Sequence, residues 1–365
     1  MKHLVLLGAD HVHAQLLACL AQRARLAPLP FRVTLIAPQA QLIDASMLAG
    51  LVSGQYTLEE CSVALDGLLK AGGVNYVQGR VTQIDAARQV VVVAQQEGTL
   101  SFEYDALSVN TEALPERELI DVALPGAREH ALFLRPSRAF PVLWERLRDL
   151  AAQQALRIAV IGSGRAAVEL ALALKERLPH CAVTLVCGDA APASDLPDAL
   201  RQRVLRQLKR SAIPVLQLGC SAIAADHIVL DRLTTLACDA PVLALAAQPA
   251  LWLAGSGLAL DDQGWIALNE FQQSQSHPQV FATGDSVCSL DAQRGASKLA
   301  SNLFAALSGL PLTPCAAPRQ GLEFLSCGAR CAMASWRGWS VQGRWFGYWK
   351  DGRARRLLAR LRAIH

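Results

Sequence analysis

Lys2 to Leu17 reads KHLVLLGADHVHAQLL, and Arg157 to Leu174 reads RIAVIGSGRAAVELALAL. In each, an apolar run of strand length meets a glycine and gives way to a helical apolar pattern. A strand, a tight glycine turn and a helix bring backbone N–H groups and the positive helix end to a pyrophosphate, so both stretches are candidate dinucleotide-binding turns. In the second, Gly162 makes the turn, Gly164 permits close backbone approach to phosphate, and Ala167 lets the helix pack on the strand. The first keeps only its leading glycine. Gly8-Ala9-Asp10-His11-Val12-His13 puts a carboxylate where the G-x-G-x-x-G/A pattern has its second glycine.

An acid at the end of the next strand usually holds the adenosine ribose. After the first turn that strand, Phe31 to Ile36, ends in Ala37-Pro38-Gln39, and Asp44 is a late candidate. After the second turn, Ala182 to Val186 ends in Cys187-Gly188-Asp189, where Asp189 is equally well read as a solvated loop acid. Further on, Gln279 to Asp285 (QVFATGD) is a short apolar strand ending in small residues and one acid. Asp285 is either a helix N-cap or, beside a flavin, a partner for its ribityl hydroxyls. His11 and His13 have no third ligand nearby, so no metal is expected. The ten cysteines contain no C-x-x-C; Cys288, Cys327 and Cys331 read as buried thiols, like the rest.

The elements that would position these groups follow from periodicity. Leu48 to Leu69 reads as helix or loop and helix, and Val74 to Val93 as two strands. Phe102 to Val109 reads as a strand returning to the first sheet, Leu196 to Leu208 as an amphipathic helix, and Lys298 to Leu307 as the helix after Asp285. At the end, Trp336, Trp339, Trp345, Phe346, Tyr348 and Trp349 crowd the approach to a final helix. There Ala354, Leu357, Leu358, Leu361 and Ile364 share a face among five arginines.

With 52% hydrophobic and 18% charged residues over 365 positions, the chain reads as globular with room for two or three cores. It shows neither a spanning apolar run nor a signal-peptide pattern, so a cytoplasmic location with reduced thiols is expected. The charge is uneven. Residues 330–365 carry +8 of a total of +4, leaving −4 before them. Aromatics beside a basic amphipathic helix suit a membrane surface; packing on the body or on a second subunit of a homodimer is the competing reading. No nucleic-acid module accompanies the basic tail.

The two glycine turns and the distal SHPQVFATGD, in this order, resemble the FAD-dependent pyridine nucleotide-disulfide oxidoreductase superfamily. Without C-x-x-C, the chain is more similar to its type II NADH dehydrogenase and sulfide:quinone oxidoreductase branch. Within that branch it most resembles the flavoprotein domain associated with selenide, water dikinase. His11 and His13, Ser46 to Tyr56, Tyr104 to Ser108 and Trp349-Lys350-Asp351 carry that likeness.

The resemblance implies an α/β fold with two Rossmann-like domains, one inserted in the other. The expected divisions are 1–125 with 251–320 for FAD, 126–250 for NAD(P), and a small C-terminal segment, 321–365. It implies an oxidoreductase that passes hydride from NAD(P)H through FAD to a quinone or other acceptor. The cofactor supplies the chemistry, so no general acid or base is named. Expected FAD contacts are Gly8, Ala9, Asp10, His11, Ala37, Gly284 and Asp285. Expected NAD(P) contacts are Gly162, Gly164, Arg165, Ala167, Glu169 and Asp189.

Three departures from the family pattern stand out: Asp10, Thr111-Glu112 where a small glycine is usual, and a short loop, Ser286 to Ala296, where a longer one covers the flavin. A carboxylate at roughly 5 Å from an anionic cofactor, at an effective dielectric near 20, would oppose binding by about 3 kcal/mol. The alternative expectation is therefore a degenerate flavoprotein acting as a binding or scaffold partner.

Overall fold

The computed structural model describes residues 1–111, 117–231, 234–283, 292–315, 322–328, 330–336 and 339–364. The expected contacts Gly284 and Asp285, together with Glu112 and Cys288, lie outside the described residues.

In chain order the principal elements begin with β1 (His3–Leu7), α1 (His11–Ala24), β2 (Arg32–Ala37), β3 (Asn75–Gln78) and β4 (Ala106–Val109). Next come β5 (Leu132–Phe133), β6 (Arg157–Ile161), α2 (Arg165–Arg177), β7 (Ala182–Val186), α3 (Asp198–Arg210), β8 (Val215–Leu216) and β9 (Ala240–Leu243). The chain closes with β10 (Val280–Ala282), α4 (Ala292–Ser308), β11 (Glu323–Ser326), β12 (Ala332–Trp336), β13 (Trp339–Gly343) and α5 (Arg344–Arg362).

Two parallel five-stranded sheets repeat one plan. The first runs β10-β4-β1-β2-β3 and the second β5-β9-β6-β7-β8, so each glycine-bearing strand is central. Central parallel strands are covered on both faces, which is why HLVLL is buried along its length. The hydrogen bonds at the two turns match as well. Gly8 N donates to Ile36 O and Gly162 N to Val186 O, both at 2.8 Å. Asn110 N donates to Leu7 O at 2.8 Å, and Ala244 N to Ile161 O at 2.9 Å.

These bonds draw the neighbouring strand's end onto the glycine. A Cβ at Gly8 (φ +93°) would lie 2.0 Å from Asn110 O, and one at Gly162 (φ +148°) 2.3 Å from Ala244 O. Glycine is needed at both because backbone occupies the side-chain position. Beyond each turn the helices bury their apolar faces. α1 packs Leu16, Leu17 and Leu20 with Leu299 and Leu303 of α4. In α3, Leu200, Val204 and Leu208 recur at i, i+4, i+8 and are all buried, each stabilising the fold by about 2 kcal/mol.

Three expected boundaries are corrected. Val74 to Val93 forms three strands rather than two: Asn75–Gln78 joins the first parallel sheet, while Arg80–Asp85 pairs antiparallel with Val90–Gln95. Phe102 to Val109 is not one strand: Gly98–Glu103 pairs antiparallel with Val90–Gln95, and only Ala106–Val109 joins the parallel sheet. The chain changes sheets at Tyr104-Asp105, where the Asp105 carboxylate accepts from His3 N at 2.6 Å. The aromatic residues 345, 346, 348 and 349 lie within α5 rather than before it, because α5 starts at Arg344 directly after β13. The β11-β12-β13 sheet packs Leu325 and Met333 into the core of the second sheet, while Leu358 and Leu361 of α5 enter the core of the first. The C-terminal segment thus straddles both sheets.

Gly8→Ala should lower unfolding free energy by about 3 kcal/mol or more, since the obstructing atom is backbone. Gly98→Ala, also at positive φ (+114°) but with open space around it, should cost only about 1–2 kcal/mol. Urea unfolding midpoints of the two variants test this ordering, and equal losses would contradict it.

Candidate functional site: two glycine turns and their crevices

A crevice of about 260 Å³ opens at the first turn. Gly8, Ala9 and Asp10 form one end; Ala37, Gln39 and Gln41 lie along the end of β2; Trp252, Leu253 and Ile266 make an apolar wall. Asp10 is the N-cap of α1, and its carboxylate accepts from His11 N at 2.6 Å. It therefore occupies a donor that a pyrophosphate would use. No sequence signal pointed to Arg80, Arg135 and Arg138, which come from distant segments and also line the crevice. Among the described lining residues three guanidinium groups accompany one carboxylate, a balance suited to an anion. The side-chain amide nitrogen of Asn110, another lining residue, is buried without a hydrogen-bond partner among the described residues. A dinucleotide rich in oxygen acceptors fits this lining, in which Asp10 is the opposing charge among the described residues.

The two histidines of the turn have opposite states. His13 is fully buried; Nδ1 meets Gly8 O at 2.7 Å and Nε2 meets Ser108 Oγ at 2.8 Å. Both contacts suit a neutral ring that donates from Nδ1 and accepts at Nε2, and burial pushes its pKa down to about 4. It stands where the second turn has Ala167, and it ties α1 to β1 and β4. For His11, burial opposes the charge, but the Asp44 carboxylate 3.0 Å away and Asp10 nearby outweigh it and raise the pKa to about 9. His11 is thus an imidazolium paired with Asp44, and its charge lies near enough to Asp10 to offset part of that carboxylate's charge. Asp44 itself is 2% exposed and also accepts from Ser46 N and Ser46 Oγ, so it points away from the ribose end of the crevice. That end presents the Gln39 and Gln41 side chains.

At the second turn Gly164 is the N-cap of α2 and brings no side chain to it. A Cβ there would meet nothing within 4 Å, in contrast to Gly8 and Gly162. Open space therefore faces the positive end of α2. Ala167 is buried and would lie 3.3 Å from a Cβ on Gly162, so it is the close-packing residue of the turn. Asp189 is exposed in the turn after β7. Arg165 and Glu169 turn the other way, towards the C-terminal sheet. Arg165 pairs with Glu323 at 3.2 Å. Glu169, 8% exposed, accepts from Lys350 Nζ at 2.8 Å and from Ser326 N at 2.5 Å. Lys350 also donates to Ser326 Oγ.

Two parallel sheets of one topology, each with a glycine turn feeding a helix and one with a polar, cation-lined crevice, define an oxidoreductase of the two-dinucleotide-fold class. The pyridine nucleotide-disulphide oxidoreductase family description matches residues 17–306, and the chain belongs to that family. The match starts beyond the Asp10 turn. The chain is 26% identical over 337 residues to demethylphylloquinone reductase NdbB of Synechocystis sp., covering 86% of this chain and 81% of that protein. It is 26% identical over 332 residues to alternative NAD(P)H-ubiquinone oxidoreductase C1 of Arabidopsis thaliana, covering 78% of this chain and 63% of that protein. The sulfide:quinone oxidoreductase of Aquifex aeolicus shares the fold, with a TM-score of 0.79 at 17% identity over 99% of this chain and 92% of that one. NDH2 of Plasmodium falciparum in complex with NADH does so with a TM-score of 0.77 at 13% identity, over 99% and 97%. The protein is accordingly an FAD-dependent oxidoreductase that uses NAD(P)H, and the scaffold alternative is not favoured.

Asp10→Asn keeps the helix cap, since Asn caps as well as Asp, and removes the charge. FAD affinity should rise about tenfold or more, within the roughly 3 kcal/mol that a carboxylate at 5 Å can oppose. Titration of apoprotein by flavin fluorescence reads this directly. Weaker binding by the variant would make the carboxylate a ligand instead.

Proposed function

We propose that the protein oxidises NAD(P)H and delivers the electrons to a quinone-like acceptor. Support comes from the open space at Gly164: of the turn glycines, it is the one whose missing side chain leaves room for a ligand rather than for protein backbone. FAD held in the first crevice supplies the two-electron chemistry between nicotinamide and acceptor. Gly8, Ala9, Asp10 and Ala37 would border it, with Arg80, Arg135 and Arg138 balancing its phosphates; His11 would act through Asp10. Gly162, Gly164 and Ala167 would admit the NAD(P) pyrophosphate to the α2 N-terminus, and Asp189 stands near the strand end where a ribose would lie. Arg165 and Glu169 are positioning residues that hold α2 against the C-terminal sheet. The matching sheet plans support the division into 1–125 with 251–320, 126–250, and 321–365. Relatives named for demethylphylloquinone and ubiquinone support the acceptor class.

The same reading places the C-terminal segment at a membrane surface. No helix among the described residues is long and apolar enough to cross a membrane. Trp339 and Trp345 are 80% and 85% exposed, and Trp336, Tyr348 and Trp349 are half exposed or more. They sit at the β12-β13 turn and the first turns of α5, while the far end of α5 is docked. There Arg355 pairs with Glu60 at 3.0 Å, Arg362 donates to the carbonyls of Glu59, Glu60 and Ser62, and Tyr56 and Gln55 donate to Asp351. Aromatic side chains flanked by arginines suit the interfacial layer of an anionic bilayer.

Gly164→Val has backbone angles open to any residue, with φ −74° and ψ 175°. The variant should keep its flavin spectrum and thermal midpoint, while KM for NAD(P)H rises at least about tenfold, or about 1.4 kcal/mol. An unchanged KM in a quinone-reduction assay would remove the assignment of the second turn. Trp339→Ser with Trp345→Ser should abolish co-sedimentation with anionic liposomes. Undiminished sedimentation, or burial of both tryptophans in a dimer in solution, would hand this face to another partner.

A further inference from the structure

The hairpin between β11 and β12 brings Cys327 and Cys331 together, with their sulfurs 2.8 Å apart. The turn is closed by Cys327 N donating to Cys331 O at 2.9 Å and Cys331 N donating to Gly328 O at 3.3 Å. Gly328 at φ +118° and Arg330 at φ +59° hold it tight. Both flanks are packed. A Cβ at Gly328 would lie 2.5 Å from a Glu176 carboxylate oxygen of α2, and one at Gly347 of α5 would lie 2.5 Å from Arg330 O. The two sulfurs therefore face each other across a turn with little freedom to separate.

Their surroundings make them unequal. Cys327 is 7% exposed and belongs to the core of the second sheet, whereas Cys331 is only partly buried. The Gln342 amide of β13 points at both sulfurs, 3.6 Å from Cys327 and 3.8 Å from Cys331, and is itself held by Gln207 at 3.2 Å. The Cys327 thiol donates to Cys331, which holds the Cys331 thiol below its ordinary range and pushes Cys327 up. One accessible thiolate is thus backed by one buried thiol. The pair lies beside Glu176, near the C-terminal end of α2. Twelve residues of helix, about 18 Å, separate that end from Gly164, so the pair is remote from the second dinucleotide turn.

We propose that Cys327 and Cys331 form a peroxide-oxidisable dithiol, with Cys331 as the attacking thiolate and Cys327 as the resolving thiol. Cys331 sulfur attacks one oxygen of a hydroperoxide such as hydrogen peroxide. The O–O bond breaks, Cys331 becomes a sulfenic acid, and the leaving hydroxide takes a proton from solvent to become water. Cys327 sulfur then attacks Cys331 sulfur; the S–S bond forms, the S–O bond breaks, and the second water leaves with the Cys327 proton. Two electrons pass from the dithiol to the peroxide. The disulfide closes a turn already pinned between α2 and α5, the two helices joined by the Glu169–Lys350 pair. Its formation is independent of the quinone-reduction reading.

Trypsin cuts after Arg330, between the two cysteines, so a disulfide would join peptide 320–330 to peptide 331–337. After treatment of the full chain with hydrogen peroxide, non-reducing digestion and mass spectrometry should recover this joined pair, and dithiothreitol should split it. In untreated protein Cys331 should alkylate at least about tenfold faster than the partly buried Cys19, whose thiol is pushed up by burial. Cys327→Ser should accumulate a dimedone-reactive sulfenic acid at Cys331. The wild-type digest decides the matter even if that variant folds poorly. Absence of the joined peptides with both thiols still alkylating, pairing of either cysteine with a different one, or alkylation of Cys331 no faster than Cys19 would each overturn the proposal.

Discussion

A carbonyl oxygen standing where a side chain would begin is the constraint on which both halves of this molecule depend. Asn110 O presses on Gly8 and Ala244 O on Gly162, in each case because the adjacent strand hydrogen-bonds the residue just before the turn. With no Cβ to accommodate, the chain leaves its strand sharply and enters a helix whose N-terminus faces the sheet's C-terminal edge. The crevice at the first turn and the open space at Gly164 follow from that geometry. The rest of each unit supplies apolar burial that holds the sheet and helix in this relation.

The two turns diverge at the second glycine position of the G-x-G-x-x-G/A pattern. Gly164 leaves space and an uncapped helix end, whereas Asp10 fills its helix end with a carboxylate. Around Asp10 the charge is managed rather than removed. His11 stays protonated beside Asp44 and near Asp10, and three arginines from separate segments border the same crevice. An anionic cofactor thus meets a field that is net attractive with one local opponent. His13 replaces a packing alanine by a neutral ring bonded to Gly8 O and Ser108, exchanging close contact for two hydrogen bonds.

The C-terminal segment joins these halves to an outside surface. One end of α5 is docked on the first unit by Asp351, Arg355 and Arg362. Lys350 locks it to Glu169 of α2, and breaking one partner of so buried a pair is costly, about 3–5 kcal/mol. The aromatic end stays exposed. A helix clamped to both dinucleotide units holds its exposed tryptophans in a fixed relation to the body of the protein, and the Cys327–Cys331 turn packs against it.

Much of this was legible in one dimension. Strand, glycine and apolar helix are local signals, so KHLVLLG and RIAVIGSG marked both turns, the order of motifs marked the family, and the period of Leu357, Leu358 and Leu361 marked an amphipathic helix. Charge and position were not. Arg80 opens the antiparallel strand Arg80–Asp85 and Arg135 and Arg138 follow β5, so only the tertiary fold brings them to one crevice. Glu169 looked free to approach a nicotinamide, yet its partner is Lys350, 181 residues away. Asp44, a late candidate for the ribose, pairs with His11 at 3.0 Å. The sequence by itself determined where the backbone must turn and which faces must be buried, because those depend on neighbouring residues. The tertiary structure alone decided which charges meet and which thiols touch, because electrostatic and sulfur contacts depend on distances set by the whole fold.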